Sequence, residues 1–558
     1  MLTDIIRKHA LKNKKDFGST KPNSIIGKVI ADFPEAKKDM KSTMQETAKI
    51  CAEVNSLSET ELESELSKYT FEDKKQEEKG LTLPNAAENK VVTRFPPEPS
   101  GYPHIGHAKA AYLDSEAAKK YGGKMILRFD DTNPEKEKPE YVDAIREGLE
   151  WLGIEWEGEP SYTSDNMDKL YSYADKLIDM DKAYVCVCSG DEISKNRKAS
   201  LECACRKLPV AEQKARWKKM LEGGFGAGEA ILRYKGDLNS ENTAMRDPSL
   251  FRIILFSHYR QGEQFRVWPS YDLAAPIMDS LEGVTHAMRT KEYELRRPLY
   301  FAILKDLKLK EPELIEFARL SIKNTKVGKR YITPLVQEGK VTGWDDPRLP
   351  TLKGLERRGI LPEAIKSFVL GFGLTKAESE PGWGKLLTEN RKLLDPLAEH
   401  YFFVPNPIKI TVANAPEREV KMKVHPEKEE LREYTTKDIF YIPKKETADL
   451  KEGDIFRLKD LYNVKITKSG DELLGEYAGE ELVPGKKLQW VIEPIEAEVW
   501  KSGDLFIGDE YNPESLEKEK GYVEGAVAKL EEGKIIQFER YGFVRLDSKD
   551  PLRFIYSC

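Results

Sequence analysis

Residues Lys90–Gly122 read KVVTRFPPEPSGYPHIGHAKAAYLDSEAAKKYG, and this stretch decides the architecture. KVVTRF has strand composition. The Pro- and Gly-rich segment PPEPSGYPHIGH forms a loop, and AKAAYLDSEAAKKYG is a helical stretch. A second strand is expected in KMILRF, Lys124–Phe129, and a second helix carries Ile145, Leu149 and Leu152 on one face. Strand, helix, strand, helix predicts a doubly wound parallel sheet. His104, Gly106 and His107 fall where the first helix begins. Free backbone N–H groups and a partial positive charge at that end suit phosphate. Gly106 leaves room for a nucleotide to approach the backbone, and imidazoles can donate to a phosphate whose charge is being redistributed. Two histidines near a glycine, taken alone, read as an ordinary structural turn.

Working outward, the chain has 558 residues, too many for one core, and three to five domains are expected. Hydrophobic residues make up 39% and charged residues 33%, which predicts a globular chain with a heavily charged surface. The formal net charge of −6 excludes a whole-protein basic footprint, so any RNA contact must come from local Lys and Arg patches. The first residues lack the apolar core of a secretory signal, and no apolar run approaches a membrane span. Six cysteines in so long a chain are no disulfide framework. A cytoplasmic protein without membrane contact is expected.

Residues 1–89 read as a helical extension, with Ser58 and Glu61 as a capping box ahead of Leu62, Leu66 and Tyr69, and with Glu72–Gly80 as a solvated linker. Residues 90–182 form the first half of the α/β domain. They include an amphipathic helix over Asp165–Met180 that shows Leu170, Tyr171, Ala174 and Leu177. The pattern breaks over 183–260, read as an insertion, and mixed strand and helix return over 261–330. Residues 331–398 look mainly helical. From 399 to 558, alternating runs such as Ile408, Ile410, Val412 and Val420, Met422, Val424 argue for β-barrels or a sandwich.

PHIGHA after RFPPEPSGY resembles the "HIGH" signature of class I aminoacyl-tRNA synthetases in the form of the glutamyl and glutaminyl branch, and RFDDTNP, Arg128–Pro134, fits that branch too. The chain is similar to archaeal-type glutamyl-tRNA synthetases along nearly its whole length. The resemblance implies a Rossmann-like class I catalytic domain with an inserted acceptor-binding domain over 183–260. It further implies a helical connective subdomain and a C-terminal β-barrel anticodon-binding region. The second class I signature, usually KMSKS, is matched by KVGKR, Lys326–Arg330, after EFARLSIKNT. Lys329 falls on the catalytic lysine position, where it would neutralise charge building on the β and γ phosphates. Gly328 and Val327 replace the serine and methionine. The resemblance places ATP against Pro97, Glu98, His104, Gly106, His107, Arg319, Leu320 and Lys329, with magnesium, and implies that tRNA binds before adenylate forms.

For the amino acid, the matching positions are Asp130 for the ammonium, Arg94 for the carboxylate and Tyr271 as pocket wall. Arg289, in EGVTHAMRTKEYELRRPLY, is the discriminating position, where glutaminyl enzymes typically carry a small neutral residue. A planar guanidinium matches a side-chain carboxylate two oxygens at a time, so L-glutamate is the expected substrate. A surface or RNA-facing arginine is the plainer reading. Two rivals stand beside this one: a glutaminyl-tRNA synthetase, and an inactive RNA-binding paralogue suggested by Gly328. Cys186, Cys188, Cys203 and Cys205 form C-x-C…C-x-C, which is either a tetrahedral structural zinc site or four reduced thiols. The motif VTGWDDPRLPTLKGLERRG, Val341–Gly359, resembles the family closely, and Lys353, Arg357 and Arg358 are candidate phosphate contacts or an exposed basic helix face. The expected partner is tRNA(Glu), with tRNA(Gln) as a further acceptor in many archaeal relatives, and a monomer is expected.

Overall fold

The computed structural model describes residues 2–17, 20–57, 59–66, 68–69, 81–470 and 472–558. It divides into two compact units, Met1–Glu77 and Glu78–Cys558.

In the first unit, α1 (Leu2–Phe17), α2 (Pro22–Asp32), α3 (Met40–Asn55) and α4 (Glu59–Leu66) bury Ile6, Leu11, Ile25, Val29, Ile50 and Val54. Asp39 caps α3 by accepting from the Ser42 N–H, satisfying one of the helix's orphan donors. Leu62 and Leu66 join this core as their spacing predicts. Ser58 and the expected linker Glu72–Gly80 lie outside the described residues.

Leu81 and Leu83 are buried against Val91, Leu113, Met288 and Phe317, so they belong to the core of the second unit. They are two apolar residues with no longer pattern around them, so periodicity could not assign them.

The second unit is organised by β1 (Val92–Phe95), β2 (Lys124–Phe129) and β3 (Ser161–Tyr162), paired in parallel in that order. The connections are α5 (Ile105–Lys120) and α6 (Pro139–Trp151). Ile105, Ala108, Leu127, Phe129, Ile145 and Leu149 fill the space between them. A helix α7 (Met167–Asp179) follows β3, and its Leu170, Ala174 and Leu177 are buried.

An antiparallel sheet then intervenes: β4 (Ala183–Cys186), β5 (Ile231–Tyr234), β6 (Ser249–Ile253) and β7 (Val267–Pro269). It carries α8 (Gly190–Ala199) and α9 (Val210–Leu221), and Trp217, Leu232, Phe251 and Trp268 share one core with α7. This sheet closes on β7, beyond the expected boundary at 260. The chain re-enters the α/β layer through α10 (Tyr271–Leu281), β8 (His286–Thr290), α11 (Arg297–Leu307) and β9 (Glu313–Phe317). β8 and β9 are parallel, and the Thr285 N–H donates to the Val92 carbonyl at 2.9 Å, which sets β8 beside β1. The chain therefore turns to opposite sides of β1, and the crevice at such a switch point, outside the carboxyl ends of the strands, is where α/β sheets bind ligands. The loop after β1 and Arg289 near the end of β8 both lie there.

Helices α12 (Lys329–Gln337) and α13 (Leu352–Arg358) begin the expected helical segment. Beyond it, a seven-stranded sheet takes strands from Glu399–Tyr401 to Leu552–Tyr556, and a six-stranded sheet takes strands from Pro407–Ala413 to Lys487–Leu488. Each has its own core. Among the described residues no helix is long and apolar enough to cross a membrane.

Candidate active site

The loop after β1 and the start of α5 are built by mutual capping. The His104 Nδ1 accepts from the Gly106 N–H at 3.0 Å, and the His107 Nδ1 accepts from the His104 N–H at 3.2 Å. With Nδ1 accepting in both rings, the neutral imidazoles carry their protons on Nε2. The rings lie 4.0 Å apart. Burial holds His104 well below the ordinary imidazole pKa, with His107 and Arg319 adding to the effect, and burial brings His107 down to about 4. Gly106 makes room for a different neighbour than a nucleotide: a Cβ there would stand 2.8 Å from the His104 ring, so the glycine permits the cap.

Opposite these rings sits Lys329, the first residue of α12. Its Nζ donates to the Ser100 carbonyl at 2.5 Å and lies 5.0 Å from the Tyr141 ring. Glu98, Ser100, His104, His107, Lys329 and Thr351 line one pocket. The Pro97 carbonyl accepts from the Asp130 N–H at 3.1 Å, joining this loop to the end of β2. Arg319 is exposed and reaches Glu292 at 3.4 Å, while Leu320 is buried in the core beneath.

Arg94, Tyr271 and Arg289, singled out from sequence, come together, and Asp130 is joined to them through Arg128 and Asp279. Arg289 is 6% exposed. Its Nη2 donates to Glu316 at 3.3 Å, but its Nε and Nη1 are buried with no partner. Glu316 is shared with Arg297 and Lys376, so Arg289 holds only part of one carboxylate. Tyr271 feels the positive charge of both Arg289 and Arg94, though burial dominates and lifts its hydroxyl to about 12. Arg94 is nearly enclosed; its Nε donates to Asp279 at 3.0 Å and its Nη1 to the Met288 carbonyl at 2.7 Å. Its two bonds thus tie β1 to α10 and to β8, and Nη2 takes part in neither bond. Asp130 accepts from Arg128 Nε at 2.8 Å and Thr163 Oγ1 at 2.9 Å, both on Oδ1.

Sequence reading missed Asp279 and Tyr293. Asp279 is fully enclosed and bridges Arg94 to Arg128, 2.9 Å from the latter. Burial would raise its pKa, but the two guanidinia outweigh that and hold it below the ordinary range. Tyr293 packs with its ring tilted against Tyr271, centroids 4.6 Å apart, and feels Glu98 and Asp130, joining the two ends of the cleft. A carboxylate following the apolar run LAAPIM in the helix YDLAAPIMDSL was the available signal, because a buried charge requires a partner.

The family described as "tRNA synthetases class I (E and Q), catalytic domain" matches residues 90–396, and the corresponding anticodon-binding domain families match 398–478 and 487–547. This chain belongs to the class I tRNA synthetases of the E and Q branch. It is 44% identical to a glutamate–tRNA ligase of Nitrosopumilus maritimus over 99% of this chain and 98% of that one. The corresponding ligase of Cenarchaeum symbiosum is 42% identical over 99% and 98%, and that of Pyrococcus furiosus 41% over 99% and 98%.

In this synthetase the loop carrying KVGKR is held from both sides. Val327 is buried, and Lys326 pairs with Asp509 and lies 5.4 Å from the Phe506 ring of the β-rich end. Gly328 caps α12 without a side-chain bond; glycine in place of serine at that position costs only about a few tenths of a kcal/mol. The three basic residues expected near RNA are differently placed. Lys353 pairs with Glu147 at 2.8 Å. Arg357 is committed to Asp547 at 2.8 Å and Asp345 at 3.1 Å, and so fastens α13 to the β-rich end. Arg358 is buried. In the inserted sheet, one sulfur from each of Cys186, Cys188, Cys203 and Cys205 lies within 4.8 Å of the others, with Cys186 and Cys203 at 3.9 Å.

Proposed function

We propose that this chain joins L-glutamate to tRNA(Glu) through a glutamyl adenylate made from ATP. The observation that carries the reading is Arg289, a buried guanidinium with two N–H donors that no protein group satisfies. Such donors are costly in an empty pocket and call for an anion; Nη1–H together with the second hydrogen of Nη2 makes the end-on fork that a γ-carboxylate would accept. A glutamine amide would leave one donor facing an NH2 group. Asp130 would hold the ammonium through its free oxygen, Arg94 the α-carboxylate and Tyr271 the side-chain stem.

In the first step an oxygen of the glutamate α-carboxylate attacks the α-phosphorus of ATP, and pyrophosphate leaves. The Nε2–H groups of His104 and His107 and the ammonium of Lys329 stabilise the charge that develops, with magnesium accompanying the triphosphate. In the second step the terminal ribose hydroxyl of tRNA attacks the activated carbonyl and AMP leaves. No side chain acts as a covalent nucleophile; positioning and charge stabilisation carry the reaction. The sheet β4–β7 would serve as acceptor-binding insertion, residues 331–398 as connective subdomain and 399–558 as anticodon reader.

Charging assays with separate tRNA(Glu) and tRNA(Gln) transcripts and both amino acids test this. Glutamate on tRNA(Glu) is expected, with glutamine poorer by about 100-fold in kcat/KM. Equal or better charging by glutamine overturns the reading, and the tRNA(Gln) arm decides whether one or two tRNAs are used.

Both imidazoles are neutral well above their depressed pKa values, so adenylate formation, followed as pyrophosphate exchange with tRNA present, is expected to show no imidazole titration between about pH 6 and 8. A break near 6.5 contradicts the proposed tautomers. The same shift bears on stability: the unfolded chain takes up these protons first, so the contribution is whole above about pH 6.5 and is lost as pH falls toward 4.

The cysteine cluster suits structural zinc. Zn–S bonds of about 2.3 Å in a tetrahedron place sulfurs about 3.8 Å apart, close to the 3.9 Å between Cys186 and Cys203. The metal would bind the Cys186 end of β4 to the Cys203–Cys205 turn and leave no position for catalysis. One equivalent of zinc is expected in protein purified without added metal. Cys203→Ser should lose the metal and lower the melting temperature by several degrees. Metal-free protein of unchanged stability rules the site out.

A further inference from the structure

Among the described buried arginines, Arg94, Arg128, Arg289, Arg348 and Arg432 each pair with a carboxylate. Arg233 donates to the Asp247 carbonyl and the Cys186 sulfur. Arg358 does neither. It is 8% exposed, its Nε is buried without a partner, and its described contact is the face of the Trp383 ring, 5.9 Å away. Burial pulls its pKa down to about 10, so it stays charged at neutral pH. Cys558 and Tyr556 offset part of this, but among the described residues no carboxylate forms an ion pair with Arg358, and a desolvated cation so weakly compensated is costly.

The residue lines a cavity of about 140 Å³ together with Thr325, Lys326, Arg348, Trp383 and Ser502. That is far more than the roughly 10–15 Å³ one water needs. The Ser502 Oγ is a second buried polar atom without a partner. The other charges around the cavity are engaged: Lys326 with Asp509, Arg348 with Asp346 and Ser515, and Asp504 with the Asn324 amide.

We propose that this cavity is a site for one phosphoryl anion, held by the Arg358 guanidinium and the Ser502 hydroxyl. The fork offers donors to two oxygens and the hydroxyl one to a third, which fits a tetrahedral oxyanion. Its position gives the occupant consequences. Thr325 and Lys326 lie on the loop that leads into Lys329, and Trp383 Nε1 donates to Thr325 Oγ1 at 2.8 Å. An anion there bridges the loop, α13 and the strand end at Ser502, and steadies the loop without touching ATP. Two sources share this chemistry: a free phosphate and a backbone phosphate of bound RNA.

The test uses the full chain with the catalytic cleft saturated by a non-hydrolysable ATP analogue. Inorganic phosphate is titrated by calorimetry and by tryptophan fluorescence. One saturable site is expected, weakened about tenfold or more in Arg358→Gln and several-fold in Ser502→Ala, whose melting temperature reports folding. Saturating tRNA(Glu) separates the sources. If RNA supplies the group, tRNA expels phosphate and Arg358→Gln weakens tRNA binding. If the anion is free, its affinity is the same with and without tRNA. The proposal is overturned if wild type and both variants bind phosphate alike or not at all, and bind tRNA alike. Should Arg358→Gln fail to fold, Ser502→Ala decides. Phosphate binding needs no charging step, so its failure is distinguishable from failure of glutamate activation.

Discussion

Arg289→Ala raises the KM for glutamate by about 100-fold and leaves ATP binding nearly intact. The magnitude follows from what the substitution removes. Arg289 is enclosed and two of its N–H groups await a partner, and hydrogen bonds between charged groups in such a place contribute about 1.5–3 kcal/mol each. The alanine variant would bury the γ-carboxylate without a counter-charge, which adds to the loss. ATP would escape, because the pocket proposed for it is lined by Glu98, His104, His107 and Lys329, and Arg289 is not part of that lining. Folding should survive. Glu316 keeps Arg297 and Lys376 when Arg289 goes, so no carboxylate is orphaned. Arg289→Lys should recover little, because an ammonium cannot present two parallel donors. Unchanged steady-state kinetics for glutamate in Arg289→Ala would remove the basis for the choice of substrate.

Much of this cleft is legible in the sequence because its parts are local. The loop after β1 announces itself through Pro and Gly, and His104 and His107 cap each other within four residues. Arg289 is legible only through its place in a longer motif; nothing about one arginine says that it faces inward. What stays hidden depends on distant partners. Arg357 reads as a basic helix face until Asp547, 190 residues away, is seen to occupy it. Arg94 reads as a ligand contact, yet two of its nitrogens are spent on Asp279 and Met288. Asp279 could have been found, because an acid set among the apolar residues of a helix calls for a buried cation. Leu81 and Leu83 could not, because two residues define no period. The β-rich end shows its alternation plainly, but its division into two sheets depends on the return of the chain near Ile495 to pair beside strands begun at Glu399, which no local pattern encodes.

The second large effect falls on Lys329. Lys329→Met should lower the rate of adenylate formation by about 10²–10³-fold, the range found when a donor aimed at developing charge is removed, while the KM for glutamate stays within about twofold. Little structural depends on the side chain beyond its contact with the Tyr141 ring. It is exposed, and its one described hydrogen bond is to the Ser100 carbonyl, a group that water can satisfy. The loop is held by its neighbours instead, Val327 in the core and Lys326 on Asp509, so the melting temperature should not move. That resting bond fits the proposed role. Ser100 belongs to the same loop as His104 and His107, so the ammonium already waits beside the groups that would meet the α-phosphate. On the proposed reading, an entering triphosphate would take the ammonium from the Ser100 carbonyl as a stronger acceptor, without the loop having to travel. Its pKa is lowered, first by burial and then by Lys138, which leaves the charge less well compensated in the free enzyme than it would be against phosphate. Stabilisation that is weak before the reaction and strong during it is what accelerates a chemical step. Single-turnover measurement with tRNA present separates the outcomes: a loss in the chemical step supports this role, and a loss confined to ATP affinity assigns Lys329 to ground-state binding alone.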